Sequence, residues 1–389
     1  MLPARALSSF GDDVALLVLM LRVYEDGRGP WSITALLVCA ALPVVVLAPL
    51  AGRLVDSVPF RTLAVATALW QAACCTALAF AAPLWSTYLL VLLLQAGHVV
   101  ASPTWQALVP TIAERDEVGR VVGAAQAMNT VAGVAAPAAA GLSIAALGYA
   151  APLLLDAATF VVLGAVGVAV RATRGGARAG EASQEPGSRE TFSLRSDALL
   201  WPLVVGLCVL VLAGEVTNVV EVFLLRGTLG AGSAAFGLVA AGLAVGLVVG
   251  SLLAGPTASD ARRARRAILA ALALALTLVV AGLAPTLWVF AIAWAVLGVS
   301  NGIVNADVGT VLLSRTPEAS RGRVLARVNG MIRGSSLGAM ALGGALGTAL
   351  GPRATFVAAG VVMAIVAAAL LVRLRPAFAA AGEPAAAPF

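Results

Sequence analysis

Apolar stretches long enough to cross a bilayer follow one another along almost the whole chain, and they limit its possible folds more than any other feature. Of its 389 residues, 61% are hydrophobic and only 11% are charged, whereas a water-soluble domain carries about 25% charged residues. A segment that crosses lipid must satisfy its backbone polar groups internally, which favours helices. The sequence therefore predicts an all-α integral membrane protein with twelve transmembrane helices.

The remaining composition argues against several classes of function. The net charge is +6, but the arginines do not cluster on a soluble module with interleaved aromatics, so no nucleic-acid partner is expected. The four cysteines lie inside apolar stretches, which argues against a disulfide framework or a metal site. The sequence contains no Walker, Ser-His-Asp or metal-ligand pattern. We therefore expect neither an enzyme nor a bound cofactor, and no direct ATP-driven transport by this chain alone.

The polar segments divide the chain into two predicted bundles. Residues 1–170 and 199–375 are expected to form six helices each, joined by a flexible linker at 171–198 and followed by a disordered tail at 376–389. Arginines concentrate in alternate loops and in the linker, and cytoplasmic loops retain positive charge. Both termini and the linker are therefore expected in the cytoplasm of a multi-pass cell-membrane protein.

The two halves repeat each other at a constant offset of 203 residues. The matches include an acid, a tryptophan and a Gly-Arg-Val triplet: Gly11-Asp12 with Gly214-Glu215, Trp85 with Trp288, and Gly119-Arg120-Val121 with Gly322-Arg323-Val324. Parallel six-helix repeats predict two bundles related by an axis along the membrane normal, with a central cavity. Met1 falls on Val204, inside helix 7, so we expect further residues to precede it.

A loop motif after helix 2 carries a family resemblance. It has glycine, an acid four residues later and then a basic residue, at Gly52, Asp56 and Arg61, and a degenerate copy runs from Gly255 to Asp260. Its glycine would let the helix end pack closely, its acid would cap or pair with a neighbouring helix end, and its arginine would hold the loop in the cytoplasm. Either copy alone is also compatible with an ordinary charged turn. Together with the repeat, the motif resembles the major facilitator superfamily, which implies secondary transport by alternating access.

Shorter stretches resemble one branch of that superfamily, which includes the enterobactin exporter and macrolide-efflux-like proteins. They are Ser8 to Asp12, Ala107 to Pro110 and Gly322-Arg323-Val324. In helix 5, Gly133 to Gly141 resembles a weakened antiporter signature, although generic small-residue packing explains it about equally well. The arginine that drug antiporters place in helix 4 is missing near Leu93, which weakens an assignment to proton-coupled drug export.

Ionisable residues at membrane depth form the candidate site, because they are costly there and usually face a cavity or each other. The resemblance implies that helices 1, 4, 7 and 10 line the pathway, which ranks Asp12, His98, Glu215 and Asp307 first. The repeat pairs Asp12 with Glu215, and either carboxylate could take and release a proton as access alternates. Packing through hydrogen bonds is the competing interpretation of Asp12 and of His98. Arg333 on helix 11 could balance an acid inside the bundle.

A polar stripe accompanies these residues. Gln95, His98, Ser102 and Trp105 share one face of helix 4, and Asn301 and Asn305 follow the same spacing on helix 10, where Asn301 corresponds to His98 in the repeat. The stripe predicts a polar cavity wall.

These features favour proton-coupled efflux of a small amphipathic molecule, such as a drug, siderophore or secondary metabolite, with protons and the lipid bilayer as partners and a monomer as the working form. Metabolite uptake or facilitated diffusion on the same fold is the alternative. A receptor or assembly subunit that does not transport is a third hypothesis.

Overall fold

The computed structural model describes residues 2–81, 83–112, 118–170, 194–195, 197–255 and 259–380, and in these ranges the backbone is almost entirely helical, with no β-strand. Twelve helices carry the fold, and a thirteenth, short helix follows them. The first eleven labels, in chain order, are α1 (Leu2–Glu25), α2 (Pro30–Ser57), α3 (Phe60–Phe80), α4 (Leu84–Ile112), α5 (Val118–Leu147), α6 (Ala150–Ala169), α7 (Leu200–Val222, extended by a π-helical turn at Phe223–Thr228), α8 (Ser233–Leu253), α9 (Asp260–Leu283), α10 (Leu287–Arg315) and α11 (318–350).

A single glycine separates α11 from α12 (352–373). Continuous hydrogen bonding runs over Glu318–Arg373, but Gly351 has φ 77° and ψ 167° and Pro352 follows it. A positive φ suits glycine, which has no Cβ, and proline is favoured in the first turn of the next helix. A short helix, α13 (Arg375–Ala380), comes after α12.

The helices are long and apolar enough for a multi-pass membrane protein. By length and composition, ten helical segments qualify as membrane spans, and the last of them, Arg327–Arg373, contains most of α11 and all of α12. Helix α1 is not among the ten, because every 18-residue stretch of it contains Asp12, Asp13 and at least one arginine. With α1 included and the last segment counted as two, the described residues hold twelve helices of spanning length, which confirms the predicted fold class.

Internal contacts divide the chain into two units. The first unit comprises Met1–Gly187 and Gly232–Ala241, and the second comprises Ser188–Ala231 and Gly242–Phe389. In the first unit, α3 packs on α4 and α6, α1 packs on α5 and α6, and α2 packs on α4. In the second, the segment that contains α11 and α12 packs on α7 and α9, and α9 packs on α10.

Each unit has its own buried apolar core. In the first, the rings of Phe60 and Trp105 meet edge to face at 5.2 Å, beside the buried Leu163. Trp105 is 2% exposed, so it is a packing residue and not part of a polar wall, contrary to the stripe read from the sequence. In the second unit, Leu203 and Ile268 belong to a buried cluster with residues of α10 and α11.

Arginine side chains hydrogen-bond to carbonyls at the ends of α3 and α9. Arg22, in the last turn of α1, donates to the carbonyl of Leu78 at 2.8 Å and also to that of Ala81. Arg353, at the start of α12, donates to the carbonyl of Gly282 at 3.2 Å. The last carbonyls of a helix have no partner within the helix, so a guanidinium there satisfies groups that would otherwise need water.

Two segment boundaries differ from those expected from composition. The linker, predicted over 171–198, already packs at its end, because Leu194 is buried in the core of the second unit and Asp197 accepts hydrogen bonds from the first turn of α7. The tail, predicted to be disordered from 376, begins with α13, whose Ala-rich sequence and early proline suit a helix. Residues 171–193 and 381–389 lie outside the described residues.

Candidate functional site

An acid and the single histidine of the chain come together in the first unit. Nδ1 of His98 on α4 lies 3.5 Å from Oδ2 of Asp12 on α1, and their side chains are 41% and 20% exposed, respectively. The distance permits an ion pair when the imidazole is protonated. Both were first-ranked candidates from the sequence, but the repeat assigns them to different partners. Gln95 is half-buried on α4, one turn before His98.

A buried carboxyl group lies behind this pair. Asp156 on α6 is 1% exposed. The thiol of Cys75 on α3 donates to its Oδ2 at 3.1 Å, and the Thr159 hydroxyl lies 3.3 Å from its Oδ1. The sequence carries no signal for this contact, because Cys75 and Asp156 are 81 residues apart on two different apolar helices.

Gly11 allows α1 to approach that carboxyl group. A Cβ built on Gly11 would collide with Oδ1 of Asp156, lie 3.0 Å from its Cγ and lie 3.2 Å from Oγ1 of Thr159. Real Cβ atoms essentially never approach a heavy atom so closely. The glycine next to Asp12 therefore permits the close contact between α1 and α6.

The second unit contains a cavity of about 290 Å³. Its polar lining comes from α7 and α10 and includes Glu215, Asn218, Asn301 and Asn305, three of which belong to the predicted candidate set. The remaining wall is largely leucine, with Trp294. A cavity with one acid, several amides and an apolar wall suits an amphipathic small molecule.

Hydrogen bonds fix the polar groups of this cavity. Glu215 accepts from the hydroxyl of Ser336 on α11 at 2.9 Å and from the amide of Asn218 at 3.3 Å. Asn305 donates to the side-chain oxygen of Asn301 at 2.8 Å. Glu215 therefore has donors on two helices, and the Asn301–Asn305 pair presents its remaining amide groups on the α10 face.

Asp307 was expected to face the cavity because it lies on α10, but it is not among the residues that line the cavity. It is 2% exposed and forms a bidentate pair with Arg266 on α9, with Nε to Oδ2 at 2.7 Å and Nη2 to Oδ1 at 2.6 Å. Arg266 also donates to the carbonyl of Ala254. Because Arg266 is one of several arginines close together at the start of α9, the sequence does not indicate its pairing with α10. Arg333, expected to balance an acid inside the bundle, is exposed on α11.

The loop motif after α2 differs in part from its expected geometry. Helix α2 continues to Ser57, so Gly52 lies within the helix, and a Cβ on it would meet no atom within 4 Å. The expected close packing at Gly52 is therefore absent from the described residues. Arg61 instead holds the end of α6, since its guanidinium donates to the carbonyl of Val168 at 3.1 Å.

The side chains of several motif residues lie outside the described part of the chain: Asp56, Ala107, Val109, Pro110, Gly119, Arg120, Val121, Gly322 and Arg323.

The second copy of the motif provides a helix start. Ser259 caps α9, and its hydroxyl oxygen accepts from the backbone N–H of Arg262 at 3.3 Å. Asp260 accepts from Ser314 on α10 at 3.0 Å and from Arg263 at 3.4 Å. The acid of this copy therefore joins α9 to the end of α10.

The small residues of α5 make a close helix contact. A Cβ on Gly141 would lie 2.9 Å from the Cα of Gly237 and would also collide with the carbonyl of Ser233, and both of these residues belong to the part of α8 that clusters with the first unit. Helix α5 continues through Pro137. This geometry fits the small-residue packing interpretation of the stretch.

Comparisons with known proteins give one family. A family model described as Major Facilitator Superfamily matches residues 1–226 and 206–388. A search of curated proteins finds no significant match.

Solved structures of transporters resemble the whole chain. A bacterial homologue of the human lysosomal transporter Spinster, inward-facing and unoccupied, is 16% identical with a TM-score of 0.73, covering 99% of this chain and 98% of that one. A POT family transporter in complex with 5-aminolevulinic acid is 11% identical with a TM-score of 0.72, at 97% and 96% coverage. A bacterial homologue of the iron transporter ferroportin is 16% identical with a TM-score of 0.68, at 95% and 97% coverage. At these identities the likeness concerns the fold alone.

Proposed function

Because the chain belongs to the major facilitator superfamily, we propose that it is a secondary transporter that exports a small amphipathic molecule in exchange for protons by alternating access. The superfamily and the transporter folds that resemble the chain point to transport and away from enzymatic catalysis.

The observation that carries proton coupling is the contact between Asp12 and His98. Ionisable side chains at membrane depth are costly unless they pair or serve a pathway, and here an acid on α1 meets a base on α4 at 3.5 Å with both partly exposed. Protonation of the imidazole turns the contact into an ion pair, and proton loss weakens it. The pair can therefore bind a proton when water reaches it from one side and release it after access changes.

The cavity of the second unit supports the substrate class. Glu215 supplies a negative charge, Asn301 and Asn305 supply amides, and leucines supply most of the apolar surface. A molecule with a polar or cationic end and an apolar body would satisfy all three. The resemblance of Ser8 to Asp12 and of Gly322-Arg323-Val324 to the enterobactin-exporter and macrolide-efflux branch supports export as the direction.

The proposal includes the location and working form. Arginines concentrate in the linker and in alternate loops, which supports a cell-membrane protein with both termini in the cytoplasm. We propose a monomer, with the protons and the lipid bilayer as its partners besides the substrate.

The test uses everted membrane vesicles with a preformed proton gradient. Addition of a transported macrolide, siderophore or amphipathic dye should partly collapse the gradient in wild type, and Asp12→Asn should abolish that response. Asp26→Asn is the matched control, because Asp26 is an exposed acid after the end of α1 and should respond like wild type. Normal coupling in Asp12→Asn would contradict the assigned role, and substrate accumulation driven by its own gradient without proton movement would favour facilitated diffusion.

A further inference from the structure

A second cavity lies where α7 begins and α12 ends, and the transport mechanism makes no use of it. Its volume is about 260 Å³. Arg195 and Trp201 line one side, and Arg373, Leu374 and Pro376 line the other. All of these residues belong to the second unit.

The cavity carries excess positive charge. The guanidinium carbon of Arg195 lies 5.1 Å from the ring centroid of Trp201, a cation–π contact that orients the side chain. Asp197 also lines the cavity, but Arg315 pairs with its Oδ2 at 2.9 Å and the N–H groups of Leu199 and Leu200 bind its Oδ1. Among the described residues, no carboxylate lies within ion-pair distance of Arg195 or Arg373. Within the described part of the chain, two guanidinium groups therefore remain for an anion.

The depth of the cavity indicates which anion can reach it. The apolar span of α7 begins at Leu200, and that of the last segment ends at Arg373, so we expect both arginines at the level where the hydrocarbon region ends. Lipid phosphates occupy this level, and tryptophan prefers it as well. Basic pockets at the ends of transmembrane helices are suited to anionic head groups, and arginine binds phosphate through paired N–H donors.

We propose that this pocket binds the phosphate of an anionic phospholipid, with Arg195 and Arg373 as its ligands and Trp201 beside the glycerol backbone. The bound lipid bridges the start of α7 and the end of α12 and so stabilises the second unit. This site is independent of the proposed transport activity.

The test measures lipid binding to the purified, detergent-solubilised protein by native mass spectrometry and by the shift of its melting temperature. Phosphatidylglycerol is compared with phosphatidylcholine of the same acyl chains. The variant is Arg195→Gln with Arg373→Gln, and the control is Arg262→Gln with Arg265→Gln, which removes the same charge from two exposed arginines at the start of α9.

We expect wild type and control to bind phosphatidylglycerol more tightly than phosphatidylcholine, and the variant to lose about tenfold or more of that affinity. Equal binding of the two lipids by wild type, or equal loss in the control, overturns the proposal. Equal stabilisation by glycerol 3-phosphate at the same concentration would assign the pocket to soluble anions and would also overturn it. If the double variant does not fold, Arg373→Gln alone provides the same comparison, because that side chain is exposed.

Discussion

Oδ2 of Asp12 and Nδ1 of His98 lie 3.5 Å apart, although the internal repeat pairs each of them with a residue of the other half. The repeat compares positions along helices, whereas the contact joins two different helices of the same unit. Glu215 and Asn301, the repeat counterparts, also share one cavity. Each unit therefore brings together polar residues of two corresponding helices. In the first unit they are an acid on α1 and a base on α4, and in the second they are an acid on α7 and an amide on α10.

If Asp12 and His98 act as one proton-binding pair, the effects of their substitutions on proton flux should not add up in the double variant. Asp12→Asn and His98→Gln should each abolish most substrate-driven proton flux in everted vesicles, and the double variant should be no worse than Asp12→Asn alone. Gln106→Ala is the control, because Gln106 is exposed on α4 and contacts Ser102 instead; its small effect should multiply with that of Asp12→Asn. Independent, multiplying losses at Asp12 and His98 would show that the contact is structural only.

Gly11 should be far less tolerant of a methyl group than its repeat counterpart Gly214. Gly11→Ala places a Cβ against the Asp156 carboxyl group, whereas a Cβ on Gly214 meets no atom within 4 Å. We expect Gly11→Ala to cost about 1–3 kcal/mol of stability through overpacking, and Gly214→Ala to be neutral or to stabilise by up to about 1 kcal/mol through helix propensity.

Thermal unfolding in detergent compares the two glycine variants. The double variant Gly11→Ala with Asp156→Ala should lose little more than Asp156→Ala alone, because the colliding carboxyl group is gone and only the Thr159 hydroxyl, at 3.2 Å, remains close. Equal melting temperatures for Gly11→Ala and Gly214→Ala would mean that α1 and α6 do not approach as described.

The pair between Arg266 and Asp307 should respond asymmetrically to the loss of either partner. Asp307 is 2% exposed and the Arg266 side chain is 33% exposed, so Arg266→Gln leaves a buried carboxylate without its partner while Asp307→Asn leaves a guanidinium that water can reach. Loss of one partner of a buried pair costs about 3–5 kcal/mol, and we expect Arg266→Gln to approach this range and Asp307→Asn to fall below it.

Melting temperatures rank the variants of this pair. Arg265→Gln, the exposed neighbour, should stay within about 0.5 kcal/mol of wild type. The double variant Arg266→Gln with Asp307→Asn should recover part of the loss of Arg266→Gln. A larger loss in Asp307→Asn than in Arg266→Gln would contradict the burial argument.

Asp197 should stabilise the second unit only above acidic pH. Burial disfavours its carboxylate, but the N–H of Leu200, the Arg315 guanidinium and the N–H of Leu199 together outweigh burial and lower its pKa. A lowered folded-state pKa gives stability that is present above the unfolded value of about 3.9 and is lost as pH falls through the folded pKa. Asp197→Asn should therefore cost about 1 kcal/mol at pH 7, a typical helix-cap effect, and less below pH of about 4.

The matched control for Asp197 is Asp26→Asn, an exposed acid after α1, which should leave the melting temperature unchanged throughout. Melting temperatures of wild type and Asp197→Asn, measured between neutral and acidic pH, should converge as pH falls. A constant difference would contradict the assignment of the effect to the ionised carboxylate.

Hydrophobic length and the repeat were sufficient to predict the twelve helices, because both are local properties of the chain. Glu215, Asn301 and Asn305, which the repeat and the polar stripe gave as candidates, line one cavity, and their role there stays a prediction. Sequence reasoning did not predict contacts between side chains on different helices, such as those of Asp307 with Arg266 and of Asp156 with Cys75. A helical face shows that a residue points inward, but only packing decides whether it meets a cavity or an oppositely charged group.

The end of α2 shows a second limit of sequence reasoning. The glycine at 52 and the acid at 56 indicated a helix end followed by a loop, yet the helix continues to Ser57. A helix ends at the first residue whose backbone hydrogen bond cannot continue, which here lies near Pro59. In sequence, a charged loop at the membrane surface cannot be told from a charged last turn of a helix.

The guanidinium groups of Arg22 and Arg353 bind carbonyls at the ends of α3 and α9, which occupy corresponding positions in the two halves. Those two arginines come from non-corresponding helices, α1 and α12, so different parts of the two halves supply the same kind of helix-end contact. They are also two of the few basic residues at the helix ends next to the arginine-poor loops. An experiment that moves positive charges between loops in order to reverse the membrane orientation of this protein would count both arginines as orientation signals. Both instead bind carbonyls at helix ends. Their removal is expected to leave carbonyls at the ends of α3 and α9 without a partner and to lower stability there, so engineered dual-topology forms should leave both in place.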